Sequence, residues 1–385
     1  MKTSQPGPDG LFEPSAYAAR RAAVAARLKE EGIAACLFED TEGRRDPSIR
    51  YLSGQPGDAL LVVSAEGSSI LVAWDVNMAR LYGRVDEILA YGDFQRRPAA
   101  ALGGCLERLG VPKGSRVELP AVTPYPKFVG YVEALPDFDL VSRESGIGDY
   151  VLGLRAAKDG AELALYRRAA ALTDGLMDEI EAAVRSGRVA SELDIALFIE
   201  REARSRGCEG TGFETIAAGP SRSFGIHAFP AFGSGPFGSE GMSILDFGLK
   251  LAGYTTDVTM SFVRGRLPAR AERMIELVEA AYAASVKLCA PGTPTRAVAL
   301  AADEVFAKEG FAMPHALGHG IGLEAHEAPA VRSREDNLAV LAPGHIITIE
   351  PGLYDPALGG VRLENDVLIT EGGHEVITHA RIVRL

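Results

Sequence analysis

Two stretches of this sequence set acidic residues inside apolar, strand-like runs, and they restrict the fold more than any other feature. Ser243-Ile244-Leu245-Asp246-Phe247 and Tyr254-Thr255-Thr256-Asp257-Val258-Thr259 both have strand composition, with Ala252-Gly253 between them. A hairpin centred on Leu251 and Ala252 sets Asp246 opposite Asp257, where opposed Cβ atoms lie about 4.5–5.5 Å apart. Ile346-Ile347-Thr348-Ile349-Glu350 and Val361-Arg362-Leu363-Glu364-Asn365-Asp366-Val367 repeat the arrangement, and folding about Ala357 pairs Glu350 with Glu364. A lone carboxylate in an apolar strand is costly. Two carboxylates side by side repel unless a cation or a proton lies between them. Solvated acids on exposed strand faces are the other reading, and the Ile-Leu-Asp-Phe setting of Asp246 argues against it.

Nitrogen donors come from one region. All seven histidines lie at or beyond position 227, and three fall in His315-Ala316-Leu317-Gly318-His319-Gly320-Ile321-Gly322-Leu323-Glu324-Ala325-His326-Glu327. Gly318 and Gly320 flank His319 and allow close approach of backbone or ligand. The glycine spacing is wrong for a dinucleotide loop, and His326-Glu327 is not followed by the second histidine of a zincin helix. No Gly-x-Ser-x-Gly occurs, and no cysteine adjoins these histidines. Four carboxylates and one imidazole make an oxygen-rich site, suited to Mn²⁺, Fe²⁺ or Co²⁺, with Zn²⁺ also accommodated. Two such ions about 3.5–4 Å apart can hold a bridging hydroxide as nucleophile.

Composition removes other function classes. A net charge of −12 argues against nucleic acid or an anionic membrane as partner. The scattered cysteines, Cys36, Cys105, Cys208 and Cys289, form no metal knuckle or disulfide framework and suit a reducing compartment. No apolar run approaches a membrane span, and the first residues lack a signal-peptide core. The expectation is a cytoplasmic protein.

The pattern divides near Leu154–Gly160. Residues 1–153 read as an α/β domain: a helix over Ser15–Glu31 ended by Gly32, a strand over Ile33–Phe38, and a strand pair, Ala59–Val63 and Ile70–Trp74, around Ala65-Glu66-Gly67. Residues 154–385 read as an α+β domain with helices over Ala161–Arg185, Glu192–Ser205, Ala269–Leu288 and Thr295–Lys308, each pair followed by strands and glycine loops. That order suggests an internal duplication.

The ordered set Asp246, Asp257, His319, Glu350 and Glu364 resembles the creatinase, prolidase and methionine aminopeptidase superfamily of pita-bread metallopeptidases. Leu-Asp-Phe-Gly, Gly-Tyr-Thr-Thr-Asp-Val-Thr, Gly-His-Gly-Ile-Gly-Leu-x-x-His-Glu-x-Pro, Thr-Ile-Glu-Pro-Gly-Leu-Tyr and Gly-Gly-Val-Arg-Leu-Glu-Asn-Asp-Val carry the likeness, and Ile49–Gly54 extends it into a creatinase-like N-terminal domain. The resemblance implies that Asp246 chelates one metal ion, that Asp257 and Glu364 bridge two, and that His319 and Glu350 bind the other, with Mn²⁺ foremost. It also implies that His227 and His315 contact substrate, that His326 stabilises the tetrahedral intermediate, and that Arg362 contacts substrate main chain. For each histidine a loop or outer-sphere role is the alternative. His345, His374 and His379 match nothing in the family.

The resulting expectation is an Xaa-Pro aminopeptidase or dipeptidase acting on small peptides, with Glu350 as the proton shuttle. Met260 and Ala330 stand where peptide-cleaving relatives often carry arginine. A same-fold enzyme acting on a small non-peptide substrate, a creatinase- or ectoine-hydrolase-like C–N hydrolase or a lyase, is therefore the alternative. A binding module without catalysis fits less well, because all five ligands are present. The resemblance further implies a homodimer, with the N-terminal domain packing on a neighbouring subunit.

Overall fold

The computed structural model describes residues 12–385, and these form two compact units, up to Arg155 and from Ala156 to Leu385. Each is described by itself. Within the first, the opening helix spans Pro14–Glu30. Gly32, at φ +66°, closes it, and Ile33 N–H bonds back to Leu28 O at 2.9 Å. Ile33 is thereby used in the helix stop, so the following strand starts two residues later than its apolar pattern suggests.

That strand, β1 (Ala35–Asp40), lies inside a six-stranded sheet ordered β4-β3-β2-β1-β5-β6, with β2 Ala59–Ser64, β3 Ser69–Ala73, β4 Glu87–Ala90, β5 Arg116–Leu119 and β6 Asp139–Ser142. β2 pairs antiparallel with both β1 and β3, and its register with β3, Val62 opposite Ile70, centres the turn on Glu66. β1 and β2 are buried along their whole length, and Leu37, Leu60, Val62 and Val72 join Leu102, Leu106 and Tyr131 in the core. Burial on both faces explains why these strands read as continuous apolar runs.

The second unit is built twice from one plan. In its first half, helices Gly160–Arg185 and Glu192–Ser205 precede β7 (Gly210–Thr211), β8 (Ile216–Ala218), β9 (Gly241–Phe247), β10 (Leu249–Leu251), β11 (Tyr254–Thr255) and β12 (Val258–Arg264). In the second half, helices Ala269–Val286 and Thr295–Ala307 precede β13 (Gly318–Gly320), β14 (Glu327–Val331), β15 (Ile346–Ile349), β16 (Gly352–Asp355), β17 (Gly359–Arg362) and β18 (Asn365–Thr370). β19 (Gly373–Val376) and β20 (Ile382–Arg384) complete the sheets.

Each half contains one long hairpin whose ladder breaks once in the middle. β9 pairs with β12 and, past the break, β10 with β11. β15 pairs with β18 and, past the break, β16 with β17. The breaks carry Asp257, Glu350 and Glu364, and Asp246 sits in β9 one residue from its end. At this point the hairpins meet: Glu364 N–H donates to Thr259 O at 3.2 Å, and Thr259 N–H points back to Glu364 O at 3.4 Å. Chain symmetry thus brings two pairs of carboxylates to one place.

Candidate metal centre

The second hairpin has the register its sequence implies. Ile349 pairs with Asn365 and Gly352 with Arg362, which sets Glu350 opposite Glu364 across the break. The first hairpin is displaced. Its turn lies at Ala252 (φ +50°) and Gly253 (φ +89°), so Asp246 faces Thr259 and not Asp257. The expected centre on Leu251 and Ala252 is corrected by one residue: the turn is of the kind with positive φ at both central positions, which Ala252 and Gly253 adopt. Asp257 is then the diagonal neighbour of Asp246.

His319 reaches the group from β13. A Cβ on Gly318 would lie 2.0 Å from Thr348 O, and one on Gly320 2.0 Å from Ala328 O. The flanking glycines therefore admit backbone from the neighbouring strands. His319 Nε2 lies 3.4 Å from Glu350 Oε1 and 3.8 Å from Asp257 Oδ2. Potential ligand atoms of Asp257, His319 and Glu364 all fall within 4.8 Å of one another.

The charges of this group do not balance within the protein. Asp246, Asp257 and Glu364 are buried. Burial raises the Asp257 and Glu364 carboxyls well above the usual range, neighbouring carboxylates push them further, and burial holds Glu350 at about 8. The charge-bearing cation in contact is Arg362, whose Nη2 donates to Asp246 Oδ2 at 2.6 Å. Asp246 Oδ1, also buried, has no hydrogen-bond partner among the described residues.

The histidine repeats the message. Burial, then His326, lowers the His319 pKa to about 4, so the ring is neutral near pH 7. His319 Nδ1 lies 3.1 Å from Gly320 O, a carbonyl that can only accept, so the ring proton sits on Nδ1. The Nε2 lone pair then points at carboxylate oxygens. A lone pair facing carboxylates, together with an orphaned buried oxygen, is an arrangement that divalent cations satisfy. Asp246, Asp257, His319, Glu350 and Glu364 fit a hard-metal site.

Around it, the remaining predicted residues fall in two classes. His315 lies close, its Nδ1 2.7 Å from Ala316 O and 4.0 Å from Glu350 Oε2. Burial lowers it to about 4, so Nε2 accepts from the Tyr354 hydroxyl at 3.0 Å. His326 is exposed, with its ring 4.1 Å from that of His319. His227 is also exposed, and close enough to influence the charges of Asp246 and His315.

Arg362 lies inside the site. It is 2% exposed and donates to Thr259 Oγ1, Ile226 O, Tyr354 Oη and Asp246 Oδ2. The structure turns it inward as the counter-charge of Asp246. Met260 is likewise buried, on the strand face opposite Thr259, whose hydroxyl donates to Glu364 Oε2 at 2.6 Å. The residue after Thr259 therefore lies on the strand face opposite the Thr259 hydroxyl.

Sequence reasoning missed Tyr354, Thr259 and Asp366. Tyr354 links Arg362 to His315. Asp366 accepts the Asp257 N–H at 3.2 Å and steadies that residue from behind. Position two after a ligand on the same strand face was the available signal for Thr259 and Asp366; Tyr354 had none.

The comparisons with known proteins agree with this geometry. Residues 164–371 match metallopeptidase family M24, and residues 20–145 match the Creatinase/Prolidase N-terminal domain. The chain is similar to YqhT, an uncharacterized peptidase of Bacillus subtilis strain 168, at 30% identity over 86% of this chain and 91% of that one. It superposes on a dipeptidase from Pyrococcus horikoshii OT3 with a TM-score of 0.79 and 28% identity, over 95% of this chain and 100% of that one. For an X-Pro aminopeptidase from Thermotoga maritima MSB8 the TM-score is 0.82 and the identity 25%, over 95% and 99% of the two chains. The creatinase-type N-terminal domain and the pita-bread catalytic fold are thus those of the chain itself, a metallopeptidase belonging to family M24.

Proposed function

We propose that the protein removes the N-terminal residue from Xaa-Pro peptides. The observation that carries the reading is the neutral His319 facing the carboxylates of Asp257, Glu350 and Glu364, with Asp246 Oδ1 unpartnered nearby on the same hairpin as Asp257. Asp246 would hold one metal ion, His319 and Glu350 the other, and Asp257 and Glu364 both; Mn²⁺ suits this donor set. When bound, the pair supplies Lewis acidity and an activated hydroxide.

The protein's own groups do the rest. Glu350 takes the proton from the attacking water and passes it to the leaving nitrogen. His326, exposed beside His319, donates to the developing oxyanion. His227 and His315 contact the substrate, and Phe224 and Phe229, 42% and 96% exposed beside His227, form an apolar wall for the proline ring. Proline's amide lacks an N–H, so such a wall need not provide an acceptor there. The similarity to the Thermotoga X-Pro aminopeptidase supports this substrate class. Four buried free thiols support a reducing, cytoplasmic setting, and no helix among the described residues is long and apolar enough to cross a membrane.

The test is a peptide-library digest read by mass spectrometry, with small non-peptide amides in parallel, before and after chelation. Metal-dependent loss of the first residue from peptides with proline second is the expected result. Turnover of the small amides alone would overturn the reading in favour of a non-peptide substrate.

A further inference from the structure

The segment between β8 and β9, which carries His227, has no strand or helix of its own, yet it is tied down at its base by a single carboxylate. Glu192, in the first turn of the helix Glu192–Ser205, is 1% exposed. Its Oε1 accepts the Gly219 N–H at 2.8 Å and Arg222 Nε at 3.0 Å. Its Oε2 accepts the Gly233 N–H at 2.8 Å and meets Arg222 Nη2 at 3.0 Å. Arg222 in turn donates to Pro230 O at 2.9 Å, across the loop.

The backbone is shaped around this carboxylate. A Cβ on Gly219 would lie 2.0 Å from Pro236 O, and one on Gly233 3.2 Å from Glu192 Oε2. Farther along, the loop is stitched to the centre: Ser223 Oγ accepts the Gly360 N–H at 3.0 Å, and Ile226 O accepts from Arg362 Nη1 at 3.1 Å. Both entry and exit of the loop are thus held by Glu192, while its tip bears the exposed His227 and Phe229.

Stability alone does not call for such a device. A buried ion pair costs desolvation and is often matched or surpassed by apolar packing. What a bidentate pair with two backbone donors adds is one defined loop geometry. We infer that Glu192 and Arg222 are positioning residues for substrate binding, holding the loop so that His227 and Phe229 face the substrate. The inference rests on the reading of His227 as a substrate contact.

The experiment compares metal-loaded Glu192→Gln, Arg222→Met, His227→Ala and the double variant Glu192→Gln/His227→Ala. KM and kcat are measured on an Xaa-Pro tripeptide, and backbone amide exchange over residues 219–235 is followed by mass spectrometry. Arg222→Met serves where Glu192→Gln fails to fold, since Arg222 is 26% exposed and its loss leaves both glycine bonds in place. Each clamp variant should raise KM about tenfold with kcat nearly unchanged, the signature of lost binding common to ground and transition states. Exchange in the loop should quicken. The double variant should raise KM by less than the product of the two single effects, because both changes act in part through the His227 contact. Wild-type KM and exchange in the clamp variants, or KM effects that multiply with that of His227→Ala, would overturn the inference. A wild-type KM in His227→Ala would remove the substrate role of His227 instead. Loop exchange then decides the clamp: quickened supports it and unchanged overturns it.

Discussion

Arg362 Nη2 lies 2.6 Å from Asp246 Oδ2, and both residues are buried. The pair neutralises one of the site's carboxylates and leaves its second oxygen facing the others. Truncation as Arg362→Met strands the carboxylate, and breaking a buried pair from one side costs about 3–5 kcal/mol. Denaturant unfolding of the chelated variant should show a loss of that order. Arg362→Lys should recover only part, since an ammonium cannot reproduce the planar fork that reaches Thr259, Tyr354 and Asp246 together. Unfolding of Arg362→Met at the wild-type midpoint would refute the assignment.

Chelation should expose the charge imbalance as a pH effect. In the metal-free protein burial raises Glu350 from its ordinary 4.5 to about 8, so the folded state binds the proton more tightly than the unfolded chain. That contribution is fully present below the unfolded value and is lost as pH rises through the folded one. Asp257 and Glu364, raised by burial, act in the same direction. The thermal midpoint of the chelated protein should therefore fall as pH increases from about 6.5, above which the depressed His315 and His319 no longer oppose the trend, to about 8, and added Mn²⁺ should restore it at the upper end. A midpoint that rises across this window in chelator would contradict the argument.

The two proposed catalytic roles separate by metal content. Glu350→Gln removes both ligand charge and proton shuttle and should lose about 10³-fold or more in turnover. His326→Ala should keep its metals and lose about 10²–10³ in kcat, the effect of deleting one oxyanion donor. Metal analysis of the His326→Ala protein is the decisive measurement, because a metal-free variant would mean that His326 and not His319 is the ligand.

Under the proposed function, Ala330 bears on substrate length. A dipeptidase needs a cation for the free carboxylate. Ala330 provides none, and the nearby Arg332 is drawn toward Asp336 at 3.8 Å. Tri- and longer Xaa-Pro peptides should be cut at least as well as dipeptides. A tenfold preference in kcat/KM for the dipeptide, about 1.4 kcal/mol of transition-state binding, would reveal a carboxylate clamp elsewhere.

A homodimer is expected in solution. The first unit leaves Trp74, Leu81, Val122 and Tyr125 exposed, at 41%, 54%, 69% and 78%. Light scattering at micromolar concentration should give twice the chain mass, and a strictly monomeric value would dismiss the expectation.

The sequence by itself determined the paired acidic strands, because strand periodicity and turn composition are local properties. Glu350 and Glu364 could be matched from the chain alone: the turn about Ala357 and the flanking apolar runs set the register, and a one-residue shift would invert every side chain. The first hairpin misled by one residue, since Ala252 adopts a left-handed conformation that its side chain does not advertise. What only the tertiary structure decided are relations between distant segments. The inward turn of Arg362 onto Asp246, the burial of Met260, the bare Nε2 of His319 among carboxylates, and the hold of Glu192 on Gly219 and Gly233 each depend on which strands and loops pack together. Side-chain direction and burial are set by that packing, and no local pattern in the chain encodes them.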